Sequence, residues 1–368
     1  MNKTITALAI MMASFAANAS VLPETPVPFK SGTGAIDNDT VYIGLGSAGT
    51  AWYKLDTQAK DKKWKALAAF PGGPRDQATS AFIDGNLYVF GGIGKNSEGL
   101  TQVFNDVHKY NLKTNSWVKL MSHAPMGMAG HVTFVHNGKA YVTGGVNQNI
   151  FNGYFEDLNE AGKDQTAVDK INAHYFDKKA EDYFFNKFLL SFDPSTQQWS
   201  YAGESAWYGT AGAAVVNKGD KTWLINGEAK PGLRTDAVFE LDFTGNNLKW
   251  NKLAPVSSPD GVAGGFAGVS NDSLIFAGGA GFKGSRENYQ NGKNYAHEGL
   301  KKSYSADIHL WHNGKWDKSG ELSQGRAYGV SLPWNNSLLI IGGETAGGKA
   351  VTDSVLITVK DNKVTVQN

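Results

Sequence analysis

The sequence predicts an all-β fold, a β-propeller of six blades, and three observations carry that expectation. The chain has 368 residues, 44 of them glycine, too glycine-rich for an ordinary two-domain reading of that length. Six β-rich runs each end in small residues, at Gly44-Leu45-Gly46, Gly91-Gly92, Gly144-Gly145, Asn226-Gly227, Gly278-Gly279 and Gly342-Gly343. Downstream of the first five come Tyr53, Tyr110, Phe192, Phe239 and Leu310, and then Trp64, Trp117, Trp199, Trp250 and Trp316.

Tight-turn signals such as Asp84-Gly85-Asn86 and Asn137-Gly138 precede most runs, so each run is the second half of a hairpin. Two hairpins make four short antiparallel strands, which is one blade. Glycine lets crowded inner strands approach, and tryptophan fills the wedge between diverging sheets. A glycine pair, an aromatic and a tryptophan at these offsets resemble the kelch repeat. The sixth unit lacks its tryptophan. Val21-Leu22-Pro23 running into Pro28-Phe29 matches the register at Trp64-Lys65-Ala66-Leu67, so the N-terminal segment is expected to complete the last blade. Residues 363–366 compete for that place.

The chain opens on Met1-Asn2-Lys3, an apolar run over 5–17 and Ala17-Asn18-Ala19, the order of a secretory leader. We read 1–19 as a signal peptide cleaved after Ala19, leaving one propeller domain over 20–368. The apolar run is too short to stay as a membrane span. A protein free in a bacterial periplasm is expected, with no membrane partner. Charged residues are 19% with a net charge of +1, which offers no field to nucleic acid. The absence of cysteine excludes thiol nucleophiles and thiolate metal sites. Nothing in the sequence requires a cofactor.

Most glycine pairs stand about 50 residues apart, the kelch period. The excess over that period falls in two stretches, 146–187 and 281–305. Both follow a glycine pair, so two long loop insertions are expected on the funnel face of the propeller. Long loops in compact folds are usually functional. The first carries Tyr154-Phe155-Glu156 and His174-Tyr175-Phe176, with a short helix expected near 167–173.

Two phosphate-loop imitations dissolve on context. Gly44 to Gly49 matches a dinucleotide fingerprint, yet a strand-like Ala51-Trp52-Tyr53 follows where a helix is needed. Residues 343–350 imitate a P-loop but place Ala350 where serine or threonine would hold magnesium. The eight histidines show no metal spacing.

In a propeller, the residue after each pair and the lead-in to each innermost strand converge on the axis. The residues after the pairs are Ser47, Ile93, Val146, Glu228, Ala280 and Glu344. The lead-ins carry Arg75-Asp76, Gly130-His131 and Arg326, and Lys230 and Arg234 follow Glu228 in a Pro-Gly loop. Guanidiniums beside carboxylates suit capture of an anionic ligand, with a carboxylate as general base. The same residues suit structural ion pairs equally well. His131 reads as a satisfied wall histidine.

The leader, the six units, Asn152-Gly153-Tyr154-Phe155-Glu156-Asp157-Leu158 and the Asn226-to-Arg234 loop together resemble the bacterial N-acetylneuraminate epimerase family, the sialic acid mutarotases. That resemblance implies a periplasmic isomerase interconverting the α- and β-anomers of N-acetylneuraminic acid, an acidic sugar, and a homodimer. It places the general base on Glu228 and the loop arginine on Arg234. With it, Arg326 is expected at the sugar carboxylate, Arg75 as a supporting contact and Glu344 as a second acid or base. The other readings are a non-catalytic periplasmic sialoglycan- or protein-binding kelch module, and a sialidase.

Overall fold

The structure is a computed structural model that describes residues 20–205, 209–245, 248–256, 258 and 260–368. The expected leader, 1–19, lies outside the described residues. Six antiparallel sheets follow one another along the chain, each built on four strands in sequential order outward from the axis, and that of blade 2 gains a fifth where Arg75–Asp76 pairs with Asn86–Lys95. Blade 1 runs from Thr33–Asp37 to Lys65–Ala66, blade 2 from Thr79–Ile83 to Ser116–His123, and blade 3 from His131–His136 to Gln198–Glu204. Blades 4, 5 and 6 begin at Ala214–Lys218, Phe266–Ser270 and Val330–Trp334. The fold is a six-bladed β-propeller.

The core lies between blades, because a short sheet can bury a face only against its neighbour. Phe90 and Val107 of blade 2 pack with Ala140, Val142 and Phe192 of blade 3, and Ile275 and Ile308 of blade 5 pack with Ile340 and Ile357 of blade 6. The predicted wedge role suits Trp117, whose ring lies 5.2 Å from Phe70 and 5.0 Å from Tyr110. Its Nε1 donates to Ala68 O, 2.9 Å away.

The blades are tied at the axis through the backbone. Ser31, Gln77, Gly130, Gly212, Gly264 and Tyr328, one before each innermost strand, all have φ between 55° and 65°. Five of their N–H groups donate around the throat to the preceding blade. Ser31 donates to Tyr328 O, Gln77 to Ser31 O, Gly212 to Gly130 O, Gly264 to Gly212 O and Tyr328 to Gly264 O, at 2.7–2.9 Å. A second layer comes from the small-residue pairs: Gly145, Gly227, Gly279 and Gly343 donate to Thr210, Val262, Arg326 and Phe29, each in the next blade's lead-in.

This second layer corrects the expected ring closure. The outer strand of blade 6 is Lys363–Gln367, paired with Ser354–Lys360, and not the N-terminal segment. Val21-Leu22-Pro23 occupies the connection that would follow that strand. Pro23 O accepts from Trp64 Nε1 at 3.0 Å, just as Ala68 O accepts from Trp117. Phe29 then pairs with Val351, and its carbonyl receives Gly343.

Both insertions are structured. The first holds helix α1 (Gln148–Ala161) and helix α2 (Gln165–Phe176), capped by the side chains of Asn147 and Asp164. The expected short helix near 167–173 lies inside α2, and α1 was not foreseen. The second insertion leaves on a hairpin of Ala280–Phe282 with Lys302–Tyr304 and holds helix α3 (Ser285–Gln290).

Gly343 tests the closure. Its φ of +119° is one that only glycine adopts easily, and an added Cβ would meet Ala327 O at 3.0 Å. Gly343→Ala is expected to lower the unfolding free energy by about 1–3 kcal/mol, measured by urea denaturation.

Candidate active site

A cavity of about 490 Å³ opens at the axis on the face that carries both insertions. The throat residues Ser31, Gln77, Gly212 and Tyr328 line its base. Phe151, Tyr154 and Phe155 of α1 and Tyr175 and Phe176 of α2 form one wall. Of the six residues that follow the small-residue pairs, Ile93, Val146, Glu228 and Glu344 line it.

Glu228 pairs with Ala211, the residue before its blade's throat glycine, which brings it to the axis. The chain then reverses through Lys230-Pro231-Gly232-Leu233, so that Arg234 lies directly across from Glu228. Gly232 makes this turn possible: its φ is +78°, and a Cβ would collide with the His297 ring. Its N–H donates to Glu228 Oε1 at 2.6 Å, and Arg234 Nη1 contacts the same oxygen. Oε2 receives no hydrogen bond from the described residues. Glu228 is 24% exposed at its side chain, while Arg234 is only 6% exposed. Burial works against the Arg234 charge, but Glu228 and then Tyr328 more than offset it and raise the guanidinium pKa. One carboxylate is therefore oriented by its Oε1 and open at Oε2.

Glu344 has the opposite environment. Its Oε2 accepts from Lys30 at 2.7 Å, and its Oε1 from Lys302 at 2.6 Å and Tyr304 OH at 2.5 Å. Burial alone would raise this carboxyl, yet the hydrogen bonds from Lys30, Lys302 and Tyr304 bring it down to about 2. A carboxylate so held has no proton to give near neutrality. It holds Lys302, whose Nζ lies 4.6 Å from the Tyr328 ring centroid and which lines the cavity.

Two expected binding residues do not reach the cavity. The Arg75 guanidinium is buried between blades, with Nη2 2.9 Å from Asp106 Oδ2 and Nη1 2.9 Å from Gly91 O. Burial pushes Asp106 up, and the Arg75 hydrogen bonds and charge outweigh it, so its pKa lies below the usual value. Arg326 is fully buried, with Nη2 2.7 Å from Asp353 Oδ2 and Nη1 3.2 Å from Gly342 O. Both stand two residues before the throat, where Met128 and Val262 are buried in the same way. The residues that do line the cavity are their neighbours Gln77 and Tyr328. His131 is buried between blades, bonded through Nε2 to Thr79 Oγ1 at 2.7 Å and pushed down to about 3 by burial.

Lys230 plays a part that the sequence reading did not assign. It is fully buried, and its Nζ donates to Phe176 O at 2.9 Å, to Asn294 O at 2.5 Å and to Lys178 O. All three protons of the ammonium thus pin the two insertions to the Glu228 hairpin. Burial brings its pKa down to about 8, against the pull of Asp177. The rings of Phe176 and Tyr295 stack at 4.9 Å across the same junction.

The family model for N-acetylneuraminate epimerase matches residues 22–366. A curated N-acetylneuraminate epimerase of Escherichia coli (strain K12) is 98% identical over the full length of both chains. One of Shigella boydii serotype 4 (strain Sb227) is 97% identical over the same span. A solved structure of YjhT superposes with a TM-score of 0.94 at 98% identity, over 95% of this chain and 100% of that one.

Lys230→Met is expected to keep the propeller folded while tryptic cleavage after Lys178 and Lys179 rises about tenfold, the effect of ~1.4 kcal/mol on a local opening. Mass spectrometry of the fragments reads it. Glu344 has a depressed folded pKa, so its stabilisation is complete above its usual 4.5 and lost as pH falls toward about 2. Urea midpoints of the wild type should show that acid loss, and those of Glu344→Gln should lack it.

Proposed function

This chain belongs to the N-acetylneuraminate epimerase family, and we propose that it interconverts the α- and β-anomers of N-acetylneuraminic acid in the axial cavity. The observation that carries the reading is the contrast between the two carboxylates. Glu344 is fully engaged by two lysines and a tyrosine, whereas Glu228 is held at Oε1 and open at Oε2.

Anomer interconversion opens the sugar ring and closes it on the other face. The anomeric hydroxyl loses its proton as the bond from the anomeric carbon to the ring oxygen breaks, and the ring oxygen gains a proton. Glu228 Oε2 takes the first proton and returns it to the ring oxygen. Rotation of the open keto form exposes its other face, and the same carboxylate runs the steps in reverse. A base positioned in this way contributes about 10²–10⁴ in rate. Arg234 orients the base, and with Lys302 it provides positive charge for the sugar carboxylate. The aromatic wall of Tyr154, Tyr175 and Phe176 covers the apolar face of the ring. Arg75 and Arg326 have no part in this account, and Glu344 acts only through Lys302.

The leader-like residues 1–19 support export, with the reaction taking place in the periplasm. Among the described residues no helix is long and apolar enough to cross a membrane.

Glu228→Gln keeps the size and the Oε1 contacts but removes the base. It is expected to cut the catalysed rate by about 10²-fold or more, followed by proton NMR of freshly released α-anomer, with the far-UV circular dichroism of the folded propeller retained. Full activity in this variant would remove Glu228 from the mechanism. Line broadening without acceleration in the wild type would make the protein a binder instead.

A further inference from the structure

A second cavity, of about 520 Å³, lies beside the N-terminal end of α1, where blade 2 meets blade 3. Its lining differs in kind from the funnel. Not one of its lining residues is charged, while Glu228, Arg234, Lys302 and Glu344 all face the axial cavity. Two of the five large hydrophobic side chains exposed among the described residues, Phe188 and Tyr201, line it. Both lie on blade 3, their ring centroids 6.3 Å apart.

The polar groups of this cavity are fixed at one end and open at the other. Asn147 Oδ1 caps α1 by accepting from Ile150 N, which leaves Nδ2. Gln148 Nε2 donates to Val103 O at 2.9 Å, which leaves Oε1. Asn186, only 9% exposed, donates from Nδ2 to Gly127 O and Val146 O at 3.1 Å each, which leaves Oδ1. None of these remaining atoms has a partner among the described residues, and the buried Nε1 of Trp199 has none either. Rigid amides beside exposed rings match one ligand chemistry. A pyranose offers an apolar C–H face to a ring such as Tyr201, and a rim of hydroxyls that donate and accept. A carboxylate would lose its water here and meet no cation. The volume suits one or two sugar rings.

We propose that this groove is a binding site for a neutral pyranose, separate from the axial cavity. Lactose is the probe, titrated into the full chain by calorimetry and saturation-transfer NMR. Saturable binding is expected, weakened at least about tenfold by Tyr201→Ala, a change at a side chain 66% exposed that leaves the fold and the epimerisation rate unaltered. Glu228→Gln should bind lactose as the wild type does, whether or not the funnel catalyses epimerisation. The proposal is overturned if lactose shows no saturation, if Tyr201→Ala binds it equally well, or if Glu228→Gln abolishes binding. Self-association that Tyr201→Ala abolishes, without sugar binding, would assign the patch to a second copy of the chain and overturn it as well.

Discussion

Everything in this molecule is hung on the throat, where six residues share the left-handed conformation and five of them pass N–H to C=O from blade to blade around the axis. The conformation turns each N–H sideways, out of its own sheet and toward the preceding blade. Three of the six are glycine, for which that conformation is free of strain. At Gly264 the requirement is steric as well, because the Tyr328 ring lies where its Cβ would be, 2.3 Å from the nearest ring atom. The backbone bonds bring Ser31, Gln77, Gly212 and Tyr328 to the base of the cavity. Function follows from which residue each blade delivers.

The same geometry sorts the charged groups. A side chain two positions before the throat is buried between blades and must find a partner there, as Arg75 does with Asp106 and Arg326 with Asp353. Four of the six residues just after the small-residue pairs line the axial cavity. Blades 4 and 6 place carboxylates there, and the fold gives them opposite roles through their neighbours. Glu344 meets Lys30 from the N-terminal segment and Lys302 from the second insertion, so closing the ring and completing the site are one event. Glu228 meets its own hairpin. Lys230, within that hairpin, ties down both insertions, so the lid walls and the open carboxylate share one support.

Much of this was legible in the residues. The recurring pairs, aromatics and tryptophans gave the blade count, because they report packing that every blade must solve. Glu228 and Glu344 stand out from their offset to the pairs, Arg234 from the Pro-Gly loop that follows Glu228, and all three line the cavity. Arg75 and Arg326 were misplaced because a lead-in of three residues was read as one position. Aligning Arg75-Asp76-Gln77 with Arg326-Ala327-Tyr328 separates the buried first residue from the third, which faces the cavity. Helix α1 had its signal in plain view: Phe151, Tyr154, Phe155 and Leu158 fall at the helical period. Lys302 and the carbonyl cage of Lys230 had none, since insertions fold by long-range contacts that no local pattern encodes.

The central claim is that an oriented carboxylate, open at one oxygen above the throat, speeds the exchange of sugar anomers. The most direct measurement is a proton NMR time course of α-N-acetylneuraminate with the wild-type protein, in buffer where spontaneous exchange is slow. The account predicts accelerated appearance of the β-anomer, with no other product, at a rate proportional to protein concentration. A time course identical to that of buffer alone would contradict it.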